Sequence, residues 1–189
     1  IYVSTKGSTG KWTKPKPLQK KTINTSYFES SACLSADGNT LYFVSERKKG
    51  YGKRDIYRST KSGKNIWTTP ENLGSVINTT LDEIGVFIHP DGKTLFFSSK
   101  GHKGMGGYDI YRSVYENDSW SQPENLGYPV NTTGDDVHFV MTTDNKTGYY
   151  SSLKSDGYGE KDIYQINFEK FDIVKGEPVK KISNPLTII

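Results

Sequence analysis

One tripeptide decides the fold of this chain: Asp-Ile-Tyr, found at residues 55–57, 109–111 and 162–164. The copies are spaced 54 and then 53 residues apart, and a shortened copy, Ile1-Tyr2, opens the chain. A long regular repeat is the sequence mark of a modular architecture in which each unit buries its core against its neighbours. Function in such proteins is placed on the surfaces that the units create, so the repeat also indicates where a site should lie.

Other residues keep the same period, so the whole unit repeats. Each unit has a Trp, a Pro three residues later, a Leu three residues after that, and then an Asn followed by Thr. These positions are Trp12, Trp67 and Trp120; Pro15, Pro70 and Pro123; Leu18, Leu73 and Leu126; Asn24, Asn78 and Asn131. An Asp-Gly turn pair recurs at residues 37–38 and 91–92, with Asp144-Asn145 in its place in the third unit. Asn tolerates left-handed backbone, so this third turn is still expected to form.

The second unit is predicted to form four strands. Residues 84–88 are an apolar run, typical of a strand buried on both faces, and residues 94–98 form the return strand of a hairpin. Residues 109–113 form a third strand, and a short fourth strand begins at Trp120 and ends before Pro123, which cannot donate to a sheet. Four antiparallel strands per unit specify a blade, so we predict an all-β chain carrying about three and a half blades of a β-propeller.

The composition agrees with strands and turns rather than helices. Hydrophobic residues make up 33% of the chain and aromatic residues 13%, which suits half-buried strands. The net charge of +4 is too small for a nucleic-acid footprint, and no apolar run reaches the ~20 residues of a membrane-spanning helix. Cys33, the single cysteine, is predicted to be a small buried hydrophobe. Because the sequence has no nucleophile elbow, no phosphate loop and no metal-ligand spacing, we predict no catalytic residue, no metal and no cofactor.

The second unit matches a known repeat. Residues 67–111 read Trp-x-x-Pro-Glu-Asn-Leu-Gly…Ile-Asn-Thr…Asp-Glu…His-Pro-Asp-Gly-Lys-Thr-Leu-Phe-Phe-Ser-Ser…Gly-Gly-Tyr-Asp-Ile-Tyr. This pattern resembles the WD40-like propeller repeat of TolB-type periplasmic proteins, over residues 1–168. It is most similar to the version in outer-membrane-associated proteins of the OmpA family from Bacteroidota-like bacteria, some of which belong to the type IX secretion and gliding apparatus. The resemblance implies a periplasmic, outer-membrane-associated protein whose partners are envelope proteins, including peptidoglycan-associated or secretion-system components.

The two ends of the chain fall inside or beyond the repeat pattern. The chain opens at Ile1 in mid-motif and without an initiator Met, so we expect an excised piece with further blades and any targeting signal upstream. The alternative is that two copies pair to make about seven blades, within the usual range of closed propellers. The pattern stops at residue 168, and residues 169–189 are predicted to hold the last outer strand, at 171–174, and a linker to a following domain.

An acidic residue stands directly before each innermost strand. These residues are Glu29, Glu83 and Asp136, and Asp82 and Asp135 precede two of them. In a propeller this end of the inner strand lies at the mouth of the central channel, where several carboxylates would bind a cation or a basic ligand. The alternative, which we favour because the slot recurs in every blade, is that the carboxylates accept backbone N–H bonds and fix the packing of neighbouring blades.

The loops before each Asp-Ile-Tyr are the second candidate site. They span residues 46–54, 100–107 and 154–161, differ between units and are expected on the same face as the acidic slot. The candidate binding residues in and beside them are Lys48, Lys49, Tyr51, His102, Lys103, Tyr108 and Tyr158. The tyrosines are predicted to be exposed for stacking on a sugar or a protein partner, or else to pack between blades. For the lysines we favour a solubilising role.

Three functions are compatible with these features. The first, which we favour, is a non-enzymatic propeller module for protein–protein scaffolding in the cell envelope. The second is a glycan-binding module that uses the loop tyrosines and the acidic mouth. The third is a fragment of a propeller enzyme whose catalytic residues lie elsewhere.

Overall fold

The structure is a computed structural model that describes residues 1–64, 66–155 and 157–168. These residues form fifteen β-strands in four antiparallel sheets and no α-helix. The all-β propeller predicted from the repeat is confirmed. The predicted outer strand and linker at 169–189 lie outside the described residues. No helix in the described part is long and apolar enough to cross a membrane.

The sheets follow the sequence repeat. A two-stranded sheet, called the half-blade, consists of β1 (Tyr2–Val3) and β2 (Lys16–Pro17). Blade 1 consists of β3 (Glu29–Leu34), β4 (Thr40–Ser45), β5 (Asp55–Gly63), β6 (Ile66–Trp67) and β7 (Glu71–Asn72). Blade 2 consists of β8 (Glu83–Ile88), β9 (Thr94–Ser99), β10 (Asp109–Glu116), β11 (Ser119–Trp120) and β12 (Glu124–Asn125). Blade 3 consists of β13 (Asp136–Met141), β14 (Thr147–Ser152) and β15 (Asp162–Asn167).

The outer strand of each complete blade is split in two. In blade 1, β6 and β7 both pair with β5 and are separated by residues 68–70, the last of which is Pro70. Blade 2 repeats this arrangement around Pro123. Because proline has no N–H to donate, the ladder is interrupted there. The outer strand was predicted to end before the proline, but pairing resumes with the Glu-Asn dipeptide that follows it.

Each innermost strand has a β-bulge that was not predicted from the sequence. The pairing register shifts between Ser30 and Cys33 in β3, and the other two inner strands shift at the equivalent place. The bulge contains a residue of positive φ: Ser31 (46°), Gly85 (64°) and His138 (59°). A Cβ on Gly85 would lie 2.9 Å from the backbone N of His138, so the inner strands of blades 2 and 3 approach very closely there. Since the three bulge residues differ in type, no single sequence signal marks them.

The core lies between the blades, and alternate residues of each strand face opposite neighbours. In blade 1, Phe43 and Tyr57 pack toward the half-blade, whereas Val44 and Ile56 pack toward blade 2. Ile56 is fully buried, but its counterpart Ile163 is 59% exposed, because no described sheet covers that face of blade 3. Cys33, predicted to be buried, is only half-buried beside the blade 1–blade 2 core.

The hairpin turns confirm the turn chemistry predicted from the sequence. The Asp of each turn accepts a backbone N–H bond two residues ahead, as Asp91 does from Lys93 at 2.8 Å. The next residue is left-handed in each turn, with φ of 69° at Gly38, 71° at Gly92 and 59° at Asn145. Asn145 therefore replaces Gly without loss of the turn.

Candidate functional site

Three loops line up at one end of the blades. Each connects the second strand of a blade to the third, so the loops at residues 46–54, 100–107 and 154–161 open at the same end. We call this surface, together with the residues directly before the three inner strands, the loop face. The Asp-turns between the first and second strands lie at the opposite end, which we call the turn face.

The Asp of each Asp-Ile-Tyr fixes the loop in front of it. The Asp55 carboxylate accepts hydrogen bonds from the backbone N–H groups of Tyr51 (2.6 Å) and Gly52 (2.9 Å). The equivalent bonds in blades 2 and 3 join Asp109 to Met105 and Gly106, and Asp162 to Tyr158 and Gly159. Charge-assisted bonds of this kind are among the stronger hydrogen bonds in proteins. The tripeptide therefore supplies a loop anchor as well as two packing residues.

The tips of the three loops present an exposed apolar side chain at one shared position, four residues before the anchoring Asp. The exposed fraction is 50% for Tyr51, 47% for Met105 and 89% for Tyr158. Tyr51 and Tyr158 were predicted as binding residues together with Tyr108. Tyr108, however, is buried. Tyr108 packs under the Lys100 ammonium (4.5 Å to the ring centroid), and its hydroxyl donates to Asp82 at 3.4 Å. Met105 was not predicted because it is not aromatic, but its position in the repeat, four residues before Asp109, identifies it as the third tip.

The acidic side chains directly before the inner strands all accept hydrogen bonds from other groups of the chain. Glu83 is fully buried and accepts from the Thr79 N–H (3.0 Å), the Thr79 hydroxyl (2.7 Å) and the Ser99 hydroxyl (2.7 Å). Asp136, also buried, accepts from Thr132 and Ser152, and Glu29 from Thr25 and Ser45. These three carboxylates tie each inner strand to the connection from the preceding blade and do not face solvent as a ligand-binding mouth. Among the described residues no three His, Cys, Asp or Glu side chains converge as metal ligands.

Glu83 is expected to make stability depend on pH. Burial raises the pKa of Glu83 from 4.5 to about 7, although its hydrogen bonds favour the charged form. A carboxyl whose folded-state pKa exceeds its unfolded value contributes stability below pH 4.5, and this contribution is lost as pH rises toward 7. Compared with a Glu83→Gln variant, the wild-type chain should therefore lose up to about 3 kcal/mol of unfolding free energy between pH 4.5 and 7.5.

The measurement is urea unfolding of both proteins at several pH values, with Asp136→Asn as a second variant. Burial also raises the pKa of Asp136, so this variant should deviate from wild type in the same direction. Parallel pH profiles for wild type and Glu83→Gln would contradict the prediction.

Asp82 and Asp135 remain at the surface of the loop face, where Asp82 bonds Tyr108 of its own blade and Asp135 bridges blades 2 and 3. Asp135 accepts from the Tyr108 N–H (3.1 Å) and from the Lys161 ammonium (3.2 Å). Burial raises the pKa of Asp135, but these two donors outweigh it and hold the pKa below its usual value. Arg54, which sequence reasoning did not single out, bonds Glu46 at 3.0 Å and stacks on Phe28.

His102 is not a free ligand-binding group. Its Nε2 lies 2.9 Å from the carbonyl oxygen of Ile77, and its ring packs against Phe97 and Tyr111. Arg47 in blade 1 and Lys154 in blade 3 occupy the same place: each donates to a carbonyl of the incoming connection and lies over an aromatic pair. Residues of three different types therefore join the incoming connection to the aromatic pair of each blade. Comparing residue identities between the repeats would not reveal this equivalence.

The remaining candidates, Lys48, Lys49 and Lys103, are exposed on the loop face beside Tyr51 and Met105. No hydrogen bond or ion pair joins any of the three lysines to another part of the described chain. The loop face therefore combines fixed loops, exposed apolar tips and unpaired cations.

Comparisons with known proteins agree at the level of fold. No protein-family model and no curated protein sequence matches this chain. Its structure is similar to that of TolB from Acinetobacter baumannii, with a TM-score of 0.53 and 17% identity over 86% of this chain and 34% of that one. A putative TolB from Agrobacterium tumefaciens gives 0.55 and 15%, over 89% and 57%. This chain has a TolB-like β-propeller fold.

The same fold similarity extends to a puromycin-hydrolyzing peptidase from Mycobacterium tuberculosis, with a TM-score of 0.53 and 16% identity over 88% of this chain and 25% of that one. This chain thus spans between a quarter and just over half of the length of these proteins. At these identities the similarity establishes the fold alone, so function has to be inferred from the geometry of the loop face.

Proposed function

We propose that this chain is a non-enzymatic propeller module that binds partner proteins through its loop face. The observation that carries the proposal is the shared placement of Tyr51, Met105 and Tyr158 at the tips of loops held by Asp carboxylates. Variable loops on a rigid scaffold are the usual place for binding residues. Aromatic side chains and Met are enriched in protein interfaces and bury a large apolar area when a partner covers them.

The proposed setting is the bacterial cell envelope, on the periplasmic side of the outer membrane. Support comes from the resemblance of the repeat to TolB-type periplasmic proteins and from the TolB-like fold. Partners associated with peptidoglycan or with the type IX secretion and gliding machinery form the narrower version of this proposal. It rests on the repeat pattern of residues 67–111.

We expect a triple variant, Tyr51→Ser, Met105→Ser and Tyr158→Ser, to lose partner binding by at least about tenfold, because hot-spot truncations cost 2 kcal/mol or more. The measurement is quantitative affinity capture from a solubilised envelope fraction, followed by titration of the recovered protein. The matched control is Trp12→Ser, Leu34→Ser and Ile66→Ser, three exposed apolar residues outside the loop face. Equal recovery by both variants and wild type would contradict the proposal.

Glycan binding is the second candidate, favoured by the 89% exposure of the Tyr158 side chain, since flat aromatic faces stack on sugar rings. A glycan array separates the two functions. Saturable glycan binding that disappears in Tyr51→Ser and Tyr158→Ser, with protein capture unchanged, would favour the second candidate over the first.

A further inference from the structure

The loop face is much more basic than the rest of the chain. Its three loops, residues 46–54, 100–107 and 154–161, contain nine Lys or Arg against three Asp or Glu. Their net charge of +6 exceeds the +4 of the entire chain, so everything outside the loops is net negative. Asp82 and Asp135 reduce the charge of the face but leave it positive. This concentration of cations on one end of the blades was not apparent from the mild overall charge.

The cations are unevenly distributed between blades. Lys48, Lys49 and Lys53 lie in the first loop and Lys103 in the second, all exposed and without a partner among the described residues. In the third loop, Lys161 is paired with Asp135 and the formal charges balance. The first two loops are neighbours, because both pack against the connection that leads into blade 2. Gly52 of the first loop lies against Leu81 and Thr79, and Gly101 of the second loop lies against Thr79. The unpaired charge is therefore concentrated over blades 1 and 2.

These cations flank the apolar tips. Tyr51 lies between Lys49 and Lys53 in the first loop, and Met105 follows Lys103 by two residues in the second. We propose that the partner segment on the loop face is an acidic peptide with interspersed apolar side chains, whose carboxylates lie over blades 1 and 2. This inference rests on the proposed protein-binding function and specifies its chemistry. Opposite charges on the two surfaces would speed association and reject basic competitors.

A peptide suits the face better than a nucleic acid does. The Asp135 carboxylate lies between Tyr108 and Lys161, and the Asp82 carboxylate lies beside Tyr108 and Arg54. An evenly charged phosphate backbone that crosses the face would have to pass over both carboxylates. A peptide can place an apolar side chain there, against Leu81, which is exposed, or against Met105. The face thus offers alternating cationic and apolar contacts, which match an alternating acidic and apolar peptide.

The test is fluorescence anisotropy with three labelled twelve-residue peptides in which Leu and Tyr alternate with Glu, Gln or Lys. We expect the Glu peptide to bind at least tenfold more tightly than the Gln peptide, and the Lys peptide not to bind. Raising NaCl from 50 to 300 mM should weaken the Glu complex severalfold, because salt screens exposed charges. Equal binding of the Glu and Gln peptides would overturn the inference, as would tighter binding of an oligothymidylate of the same length.

The decisive variant is Lys48→Glu, Lys49→Glu and Lys103→Glu, which should weaken the Glu peptide at least tenfold. The control is Lys61→Glu, Lys64→Glu and Lys93→Glu, with the same change in net charge on exposed residues near the turn-face end of blades 1 and 2. The control should change affinity by less than about twofold, and an equal loss in both would overturn the inference. The two proposals can fail separately. If the triple serine variant at the loop tips loses the envelope partner but the triple glutamate variant retains it, the protein-binding function is supported and the acidic nature of the partner is refuted.

Discussion

Replacing Gly52 or Gly106 with alanine should destabilise the chain by about 3 kcal/mol or more, because the added methyl group would overlap backbone atoms of the neighbouring connection. A Cβ on Gly52 would lie 1.9 Å from the carbonyl oxygen of Leu81, and one on Gly106 would lie 2.1 Å from that of Gly134. Both obstacles are backbone atoms of the connection to the next blade, so no side-chain rotation can relieve the overlap. The loop would have to move away from the neighbouring blade and leave its anchoring Asp.

The repeat supplies an exact internal control. Gly159 occupies the same position three residues before Asp-Ile-Tyr, but a Cβ there would meet nothing within 4 Å. Gly159→Ala should therefore change the unfolding free energy by less than about 0.5 kcal/mol, or raise it slightly through the unfolded state. Urea unfolding followed by tryptophan fluorescence compares the three variants. Similar losses at all three positions would show that the glycines serve the loop conformation rather than the blade contact.

Asn78→Ala should also cost about 3 kcal/mol, because the Asn side chain takes the place of a strand neighbour. Its Oδ1 accepts from the Ile56 N–H at 2.7 Å, and its Nδ2 donates to the Ile56 carbonyl (2.9 Å) and to Asn72 (2.8 Å). Alanine would leave the buried Ile56 N–H unsatisfied, at about 1–3 kcal/mol, and would remove the two hydrogen bonds that the Asn78 amide donates, at about 1 kcal/mol each. The Ile56 carbonyl would keep its bond from the Leu73 N–H (3.1 Å). Asn131 makes the equivalent bonds to Ile110 and Asn125, so Asn131→Ala should behave alike.

Two variants make this prediction specific. Asn78→Asp keeps an acceptor for the Ile56 N–H but has no donor for its carbonyl, and it should be destabilised by a comparable amount because it also buries a charge. Thr80→Ala alters an exposed side chain two residues away and should stay within about 0.5 kcal/mol of wild type. Thermal and urea unfolding provide the comparison, and a mild effect of Asn78→Ala would mean that water replaces the amide.

Sequence reasoning found the strands because their causes are local or periodic. The inner and second strands of blade 2 were predicted at residues 84–88 and 94–98, because apolar runs and an Asp-Gly turn define them. The observed strands, Glu83–Ile88 and Thr94–Ser99, differ from these bounds by one residue each. The third strand extends beyond the predicted end at residue 113 to Glu116. The extension forms because Asn117 and Asp118 make a left-handed two-residue turn back to Trp120. Asn-Asp is a weaker hairpin signal than Asn-Gly, so the end of the strand was missed.

The candidate site was predicted less completely, because exposure depends on neighbours that periodicity does not identify. Tyr108 and Tyr158 are both loop tyrosines, yet one is covered by Lys100 and the other is free. His102 looked like a variable loop residue, but packing against Phe97 and Tyr111 makes it a structural one. Met105 completes the set of tips only when the loops are superposed on their anchoring Asp residues.

The sequence by itself determined that this chain is a repeat of four-stranded antiparallel units, because turn residues, prolines and alternating apolar positions act over a few residues. Only the tertiary structure decided which members of each repeated set are buried. Ile56 and Ile163 have the same place in the tripeptide, but only Ile56 has a described blade packed on it. In the same way, burial between blades makes Glu83 a structural residue, while Lys48, Tyr51 and Lys103 remain exposed on the loop face. Burial depends on contacts between two neighbouring units, so the sequence of one unit does not determine which of its residues are buried.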